Sequence, residues 1–157
     1  MSDTNRIGLH EASASQLAEK LNELLANYQI FYMNVRGYHW NVKGPQFFQL
    51  HEKFEELYTD LLTKVDEVAE RILTLGHQPV HAYSDYVEIS RIKEDKNVSD
   101  GKTCVEGVLA GYQVLIELQR EILSLASDAD DEGTAAQAGD YIREQEKTVW
   151  MLASYLA

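Results

Sequence analysis

Two short stretches of this 157-residue chain carry the side chains best suited to chemistry. His39-Trp40-Asn41-Val42-Lys43-Gly44 leads into Leu50-His51-Glu52-Lys53-Phe54-Glu55, and Val65-Asp66-Glu67-Val68-Ala69-Glu70-Arg71 follows. Together they offer two imidazoles, His39 and His51, and three carboxylates, Glu55, Asp66 and Glu70. Neutral imidazole with carboxylate oxygen suits iron and zinc, and a carboxylate-rich set leans toward iron that must also meet oxygen or peroxide. Thiolate has no part in it, because the single cysteine, Cys104, lies elsewhere.

These residues need a scaffold, and the apolar pattern supplies one. From about residue 45 to 75, Phe47, Leu50, Phe54, Leu57, Leu61, Val65, Val68 and Ile72 recur at steps of three, four and seven, which predicts one amphipathic helix. On it His51 and Glu55 share a face, as do Asp66 and Glu70, each pair being four apart. His51 and Asp66 are separated by fifteen residues, about 22 Å along a helix, whereas metal–ligand bonds are roughly 2 Å long. One chain cannot close such a site. A two-fold axis crossing the helix near residue 58 or 59 would lay a second copy antiparallel and bring His51 of one subunit to Asp66 and Glu70 of the other. His39, at the end of the preceding helix, would reach the same point. The competing reading is a solvated face on which Asp66 and Glu70 pair with Lys64 or Arg71, an arrangement worth little at a surface.

The same residues resemble the two signature stretches of the Dps family, the miniferritins. His39-Trp40-x-hydrophobic-x-Gly44 leads to Leu50-His51-x-x-x-Glu55, and Val65-Asp66-x-Val68-Ala69-Glu70-Arg71 leads to Leu75-Gly76-x-x-Pro79. The resemblance covers nearly the whole chain. It implies an all-α fold, a ferritin-like four-helix bundle with a long crossover containing a short extra helix, as one domain over residues 1–157 with 1–12 a short N-terminal tail. It further implies twelve copies in a hollow shell and ferroxidase sites at the two-fold interfaces. Each site would take two iron ions, with zinc as a substitute occupant. By that carry-over His39, His51 and Glu55 come from one subunit and Asp66 and Glu70 from its partner, and Glu55 stands where the family often has Asp. Fe(II) would bind first at His39, Asp66 and Glu70, then near His51 and Glu55. Hydrogen peroxide, in preference to oxygen, would accept the electrons, and ferric mineral would be stored in protection against oxidative damage. Trp40 is implied as an electron donor, against the alternative of a packing aromatic beside the turn.

The remaining helices agree with a bundle. A first helix, roughly 13 to 38, carries Leu17, Leu21, Leu24, Tyr28, Phe31 and Val35 on one stripe, with Ser13 or Ser15 as N-cap. Gly76 and Pro79 stop the second. A long connection, 77 to 98, has a short helical stretch from Tyr83 to Ile89 and permits an up-up-down-down style of bundle. A third long helix, about 99 to 126, begins after Ser99 or Asp100. Gly133 opens the last, which runs to Leu156 with Tyr141, Ile142, Val149 and Leu152 inward. None of the five histidines, at 10, 39, 51, 77 and 81, has a glutamate three residues before it, which argues against the Glu-x-x-His pairs of a di-iron site held within one bundle.

Charge bears on partners. Twenty-six acidic residues against fourteen basic give a formal net charge of −12, a field that draws cations and repels nucleic acid. The acidic turn Asp128, Asp130, Asp131 and Glu132 stands where the family has its three-fold ion pores, and Asp130 and Asp131 are expected to line them. Residues 1–15 hold a single base, Arg6, against Asp3 and Glu11, so DNA binding through tails is not expected. No signal peptide and no run of some eighteen apolar residues is present, so a cytoplasmic protein without membrane contact is expected. Cys104, in an apolar helical context, reads as buried packing. The alternative function is a non-enzymatic shell or nucleoid-associated protein whose metal site holds zinc or stays empty.

Overall fold

The computed structural model describes residues 3–157. Its helices are α1 (Glu11–Asn41), α2 (Phe47–Thr74), α3 (Tyr83–Ile89), α4 (Gly101–Asp128) and α5 (Glu132–Leu156), with no strand among the described residues. The hairpins α1–α2 and α4–α5 make the most extensive contacts, and α1 packs on α4 and α3. Residues 75–100 run the length of the bundle, so α2 and α4 point the same way and α1 opposes both. The order is therefore up-down-down-up, not up-up-down-down, because the one long crossover returns the chain to the end where α2 began, so α4 keeps the direction of α2. A parallel bridge between Lys43 and Asp100 ties the first turn to the start of α4.

The expected stripes form the core: Leu17, Leu21, Leu24, Tyr28, Phe31 and Val35 of α1 meet Phe54, Leu61, Val68 and Ile72 of α2 and Val105, Val108, Tyr112 and Leu115 of α4. Tyr141, Ile142 and Leu152 are buried from α5, whereas Val149 is only half-buried. Helix α1 begins before the serines expected to cap it. Its N-cap is His10, without a side-chain cap bond, and the Glu11 N–H donates to the Asp3 carbonyl at 2.7 Å. The preceding chain folds back and satisfies one of the first-turn amides that have no partner within the helix. On α4, Asp100 is the cap, accepting from Thr103 N–H at 2.9 Å and its hydroxyl at 2.7 Å. Those bonds hold the Asp100 carboxyl below the usual carboxylate range.

The polar centre of the bundle is a closed ring. The Tyr28 hydroxyl donates to Gln119 Oε1 at 2.5 Å, Gln119 Nε2 donates to Gln145 Oε1 at 2.7 Å, and Gln145 Nε2 returns to the Tyr28 oxygen at 2.8 Å. All three side chains are buried, and burial pushes the Tyr28 hydroxyl well above its ordinary value. Neutral groups that satisfy one another cost little to bury and define helix rotation. Cys104 is fully buried on α4, and burial pushes its thiol up to about 11. At neutral pH almost no thiolate exists, so an aromatic disulfide reagent is expected to label Cys104 only after denaturant unfolding. Rapid labelling of native protein would contradict that burial.

Candidate metal centre

The two imidazoles meet where α1 ends and α2 begins. His39 sits in the last turn of α1, and His51 one turn into α2. Their rings stack with centroids 3.9 Å apart and planes 14° from parallel. His39 Nδ1 lies 2.6 Å from the His51 carbonyl oxygen and His51 Nδ1 lies 2.8 Å from that of His39. A carbonyl only accepts, so in each ring Nδ1 is the donor and Nε2 is left for another partner. The His39 carbonyl is available because the amide that would take it in a longer helix, Lys43 N–H, bonds to Ser99 instead. Phe47 stacks beside His51 with centroids 5.0 Å apart, and the Tyr58 ring stands edge-on to His39 at 5.2 Å. The imidazoles are thus held on both sides before any ligand arrives.

Glu55 joins them: its Oε1 is 3.7 Å from His39 Nε2. The structure therefore brings His39, His51 and Glu55 together in one protomer. Asp66 and Glu70 lie further along α2, both exposed, and do not reach that cluster. Among the described residues no group of three or more His, Cys, Asp or Glu side chains is arranged to hold a metal within one chain.

The basic neighbours of Asp66 and Glu70 turn elsewhere. Lys64 is buried, bonded to Asp60 at 2.8 Å and to Glu144 at 3.4 Å, with its ammonium 5.0 Å from the Tyr141 ring centroid. Arg71 pairs with Asp131 at 2.8 Å and donates from Nε to Thr134 Oγ1 at 2.9 Å. Among the described residues neither Asp66 nor Glu70 has an ion-pair partner, so the solvated-pair reading with Lys64 or Arg71 is not what the fold adopts. Two adjacent uncompensated carboxylates repel each other.

Asp131 differs from expectation. Its carboxylate is buried, caps α5 through Thr134 N–H at 3.0 Å and binds Arg71, so it cannot line an ion pore. Helix α5 accordingly starts at Glu132 with Asp131 as its N-cap, one residue before the Gly133 expected to open it. Asp130 remains exposed, with a left-handed backbone at φ 57°.

Trp40 is 58% exposed and borders a cavity of about 460 Å³ shared with Met33 and Tyr83. Sequence reasoning missed Arg36, whose guanidinium carbon lies 5.1 Å from the Trp40 ring centroid and 4.9 Å from that of Tyr58. Its position three and four residues before His39 and Trp40 was the available signal. A cation there steadies both neutral rings and disfavours a positive charge on either.

Comparison with known proteins accords with this geometry. The Ferritin-like domain profile matches residues 18–157. The Dps protein from Vibrio cholerae O1, a member of a broad superfamily of ferritin-like diiron-carboxylate proteins, superposes with a TM-score of 0.98 at 54% identity, covering 100% of this chain and 99% of that one. An uncharacterized protein of Haemophilus influenzae is 62% identical over 96% of this chain and 94% of its own length. The DNA protection during starvation protein of Porphyromonas gingivalis is 39% identical over 94% of this chain and 93% of its own. The chain belongs to the Dps family of ferritin-like proteins.

Proposed function

We propose that this protein is a ferroxidase and iron-storage miniferritin working in the cytoplasm as a closed homo-oligomer of twelve subunits. Fe(II) is its substrate, oxidised at sites shared between subunits and stored as ferric mineral. The observation that carries the reading is the split ligand set: two imidazoles with Nε2 directed away from their anchoring carbonyls and Glu55 beside them, and two carboxylates without a cation at the far end of the same helix. Under a two-fold axis the two halves meet twice per dimer.

Two Fe(II) ions are bound by His39, His51 and Glu55 of one subunit with Asp66 and Glu70 of the next. Hydrogen peroxide takes one electron from each iron and, with two protons, becomes two waters, so no hydroxyl radical is released. The protein contributes position and charge. Trp40 supplies an electron when an oxidant meets a site holding only one Fe(II), and the Trp40 indole proton passes to solvent, a loss favoured by the Arg36 cation over the ring. Zinc competes for the same ligands. The tails carry almost no charge able to neutralise phosphate, so DNA is not a partner through them.

The test is stopped-flow oxidation of anaerobically loaded Fe(II) by peroxide and by oxygen, on protein whose mass is set by light scattering. Fast peroxide-driven turnover in a large closed oligomer is expected. Oxidation no faster than in protein-free buffer would instead leave a scaffold or zinc-occupied shell.

A further inference from the structure

Nine tyrosines are spread through the chain, and the partner of each hydroxyl separates them. Among the described residues only two donate to a carboxylate: Tyr38 to Asp95 Oδ2 at 2.5 Å, and Tyr141 to Glu67 Oε1 at 2.6 Å. Tyr28 donates to the neutral Gln119, Tyr86 to a backbone carbonyl, and the Tyr32 oxygen accepts from Arg36. A phenol gives up an electron easily only when its proton leaves in the same step, so a carboxylate held on the O–H marks a tyrosine suited to one-electron donation. Tyr141 borders a separate hollow with Glu70 and Arg71. Tyr38 and Asp95 both border the cavity of about 460 Å³ on which Trp40 lies.

The Tyr38–Asp95 pair is held from several sides. The Asp95 amide donates to Asn34 Oδ1 at 3.0 Å, and Asn34 Nδ2 donates to the Lys93 carbonyl at 2.9 Å. Gly107 of α4 leaves room for the hydroxyl, since a Cβ there would collide with the Tyr38 oxygen and stand 3.4 Å from Asp95 Oδ2. Tyr38 is buried and Asp95 exposed. The ring is therefore shielded while its proton has a way to water.

We propose that Tyr38 is a second electron donor behind Trp40, with Asp95 as its proton acceptor. This rests on the reading of Trp40 as the residue oxidised at a half-filled site. Loss of an electron and a proton leaves Trp40 as a neutral indolyl radical. Tyr38 passes one electron to it, and the Tyr38 hydroxyl proton moves to Asp95 and on to water. Trp40 takes a proton from water, which restores its N–H. The net change is one hydrogen-atom equivalent moved from Tyr38 to Trp40, and it runs that way because the neutral tyrosyl radical is the more stable of the two. The radical then rests on an oxygen set against α4 rather than on the exposed indole. A small thiol from solution returns one electron and one proton to Tyr38 and becomes a thiyl radical.

Flash photolysis of the metal-free protein tests the transfer without iron. In a Trp150→Phe background Trp40 is the only tryptophan; a laser pulse photoionises it, and absorbance follows the indolyl radical giving way to a tyrosyl radical. Conversion is expected, abolished by Tyr38→Phe, unchanged by Tyr141→Phe, and slowed at least about tenfold by Asp95→Asn, whose amide is a poor base. Asp95→Asn leaves the Tyr38 ring in place and gives the reading if Tyr38→Phe does not fold. No conversion in the background protein, or the background rate in Tyr38→Phe or Asp95→Asn, would overturn the proposal. Rapid-freeze electron paramagnetic resonance on protein given one Fe(II) per site and peroxide separates this from the reading beneath it. A tyrosyl signal lost in Tyr38→Phe and in Trp40→Phe alike is expected. A tryptophan radical that never becomes tyrosyl would overturn Tyr38 alone. No protein radical, with the flash-driven conversion intact, would overturn Trp40 as the donor to the iron site and with it the role of Tyr38 there.

Discussion

Replacing Asp66 and Glu70 with Asn and Gln is expected to slow peroxide-driven Fe(II) oxidation by at least about 100-fold, since loss of groups that merely orient metal ligands already costs 10–100-fold. The substitutions keep shape and remove charge. Both side chains are exposed and neither has an ion-pair partner among the described residues, so thermal stability should change by less than about 0.5 kcal/mol. Removal of two repelling charges favours a slight gain. The combination of lost oxidation and retained fold separates a ligand role from a structural one. Stopped-flow absorbance, paired with a melting curve on the same preparation, reads both. Oxidation at the parent rate would remove Asp66 and Glu70 from the site and with them the need for a second subunit.

The largest stability effect is expected at Arg71. Its guanidinium pairs with buried Asp131, donates to Thr134 and lies over Gly133, where an added Cβ would come within 2.7 Å of Nη2. Arg71→Met removes the cation and leaves the Asp131 charge buried with only hydrogen bonds from Thr134. A buried charge deprived of its partner costs on the order of 3 kcal/mol, read as a lower urea midpoint at unchanged slope. Adding Asp131→Asn to Arg71→Met should recover part of the loss, because the amide retains an oxygen for the Thr134 N–H and carries no charge. A loss below about 0.5 kcal/mol in the single variant would mean that water reaches Asp131. Arg71 adjoins Glu70, so this ion pair also links the helix bearing Asp66 and Glu70 to the turn between α4 and α5.

What could be read from the chain alone was whatever repeats locally. Helix existence follows from apolar residues recurring every three or four positions, which is how α1, α2, α4 and α5 were recognisable. The seven-residue α3, Tyr83 to Ile89, was legible as a short helical stretch within the long connection. The incompleteness of a one-chain site was legible too, since the distance from His51 to Asp66 depends only on helix rise.

Tertiary structure decided the partners. Asp131 and Asp130 are neighbours in an acidic turn, yet one is buried against an arginine sixty residues away and the other faces solvent. Lys64 looks like a surface cation in sequence and is buried because Asp60, Glu144 and the Tyr141 ring converge on it. Tyr28, Gln119 and Gln145 come from three helices, and no local pattern announces that they close a ring. The start of α1 likewise depended on a chain reversal at residues 3–11 rather than on its serines. The exchange of Nδ1 hydrogen bonds between His39 and His51, which leaves neither Nε2 atom tied to those carbonyls, depends on the angle at which α1 enters α2. The physical reason is common to all of these. Periodicity and rise are properties of a few consecutive residues, whereas burial and hydrogen-bond partnership are properties of the space between elements that the chain separates by dozens of positions.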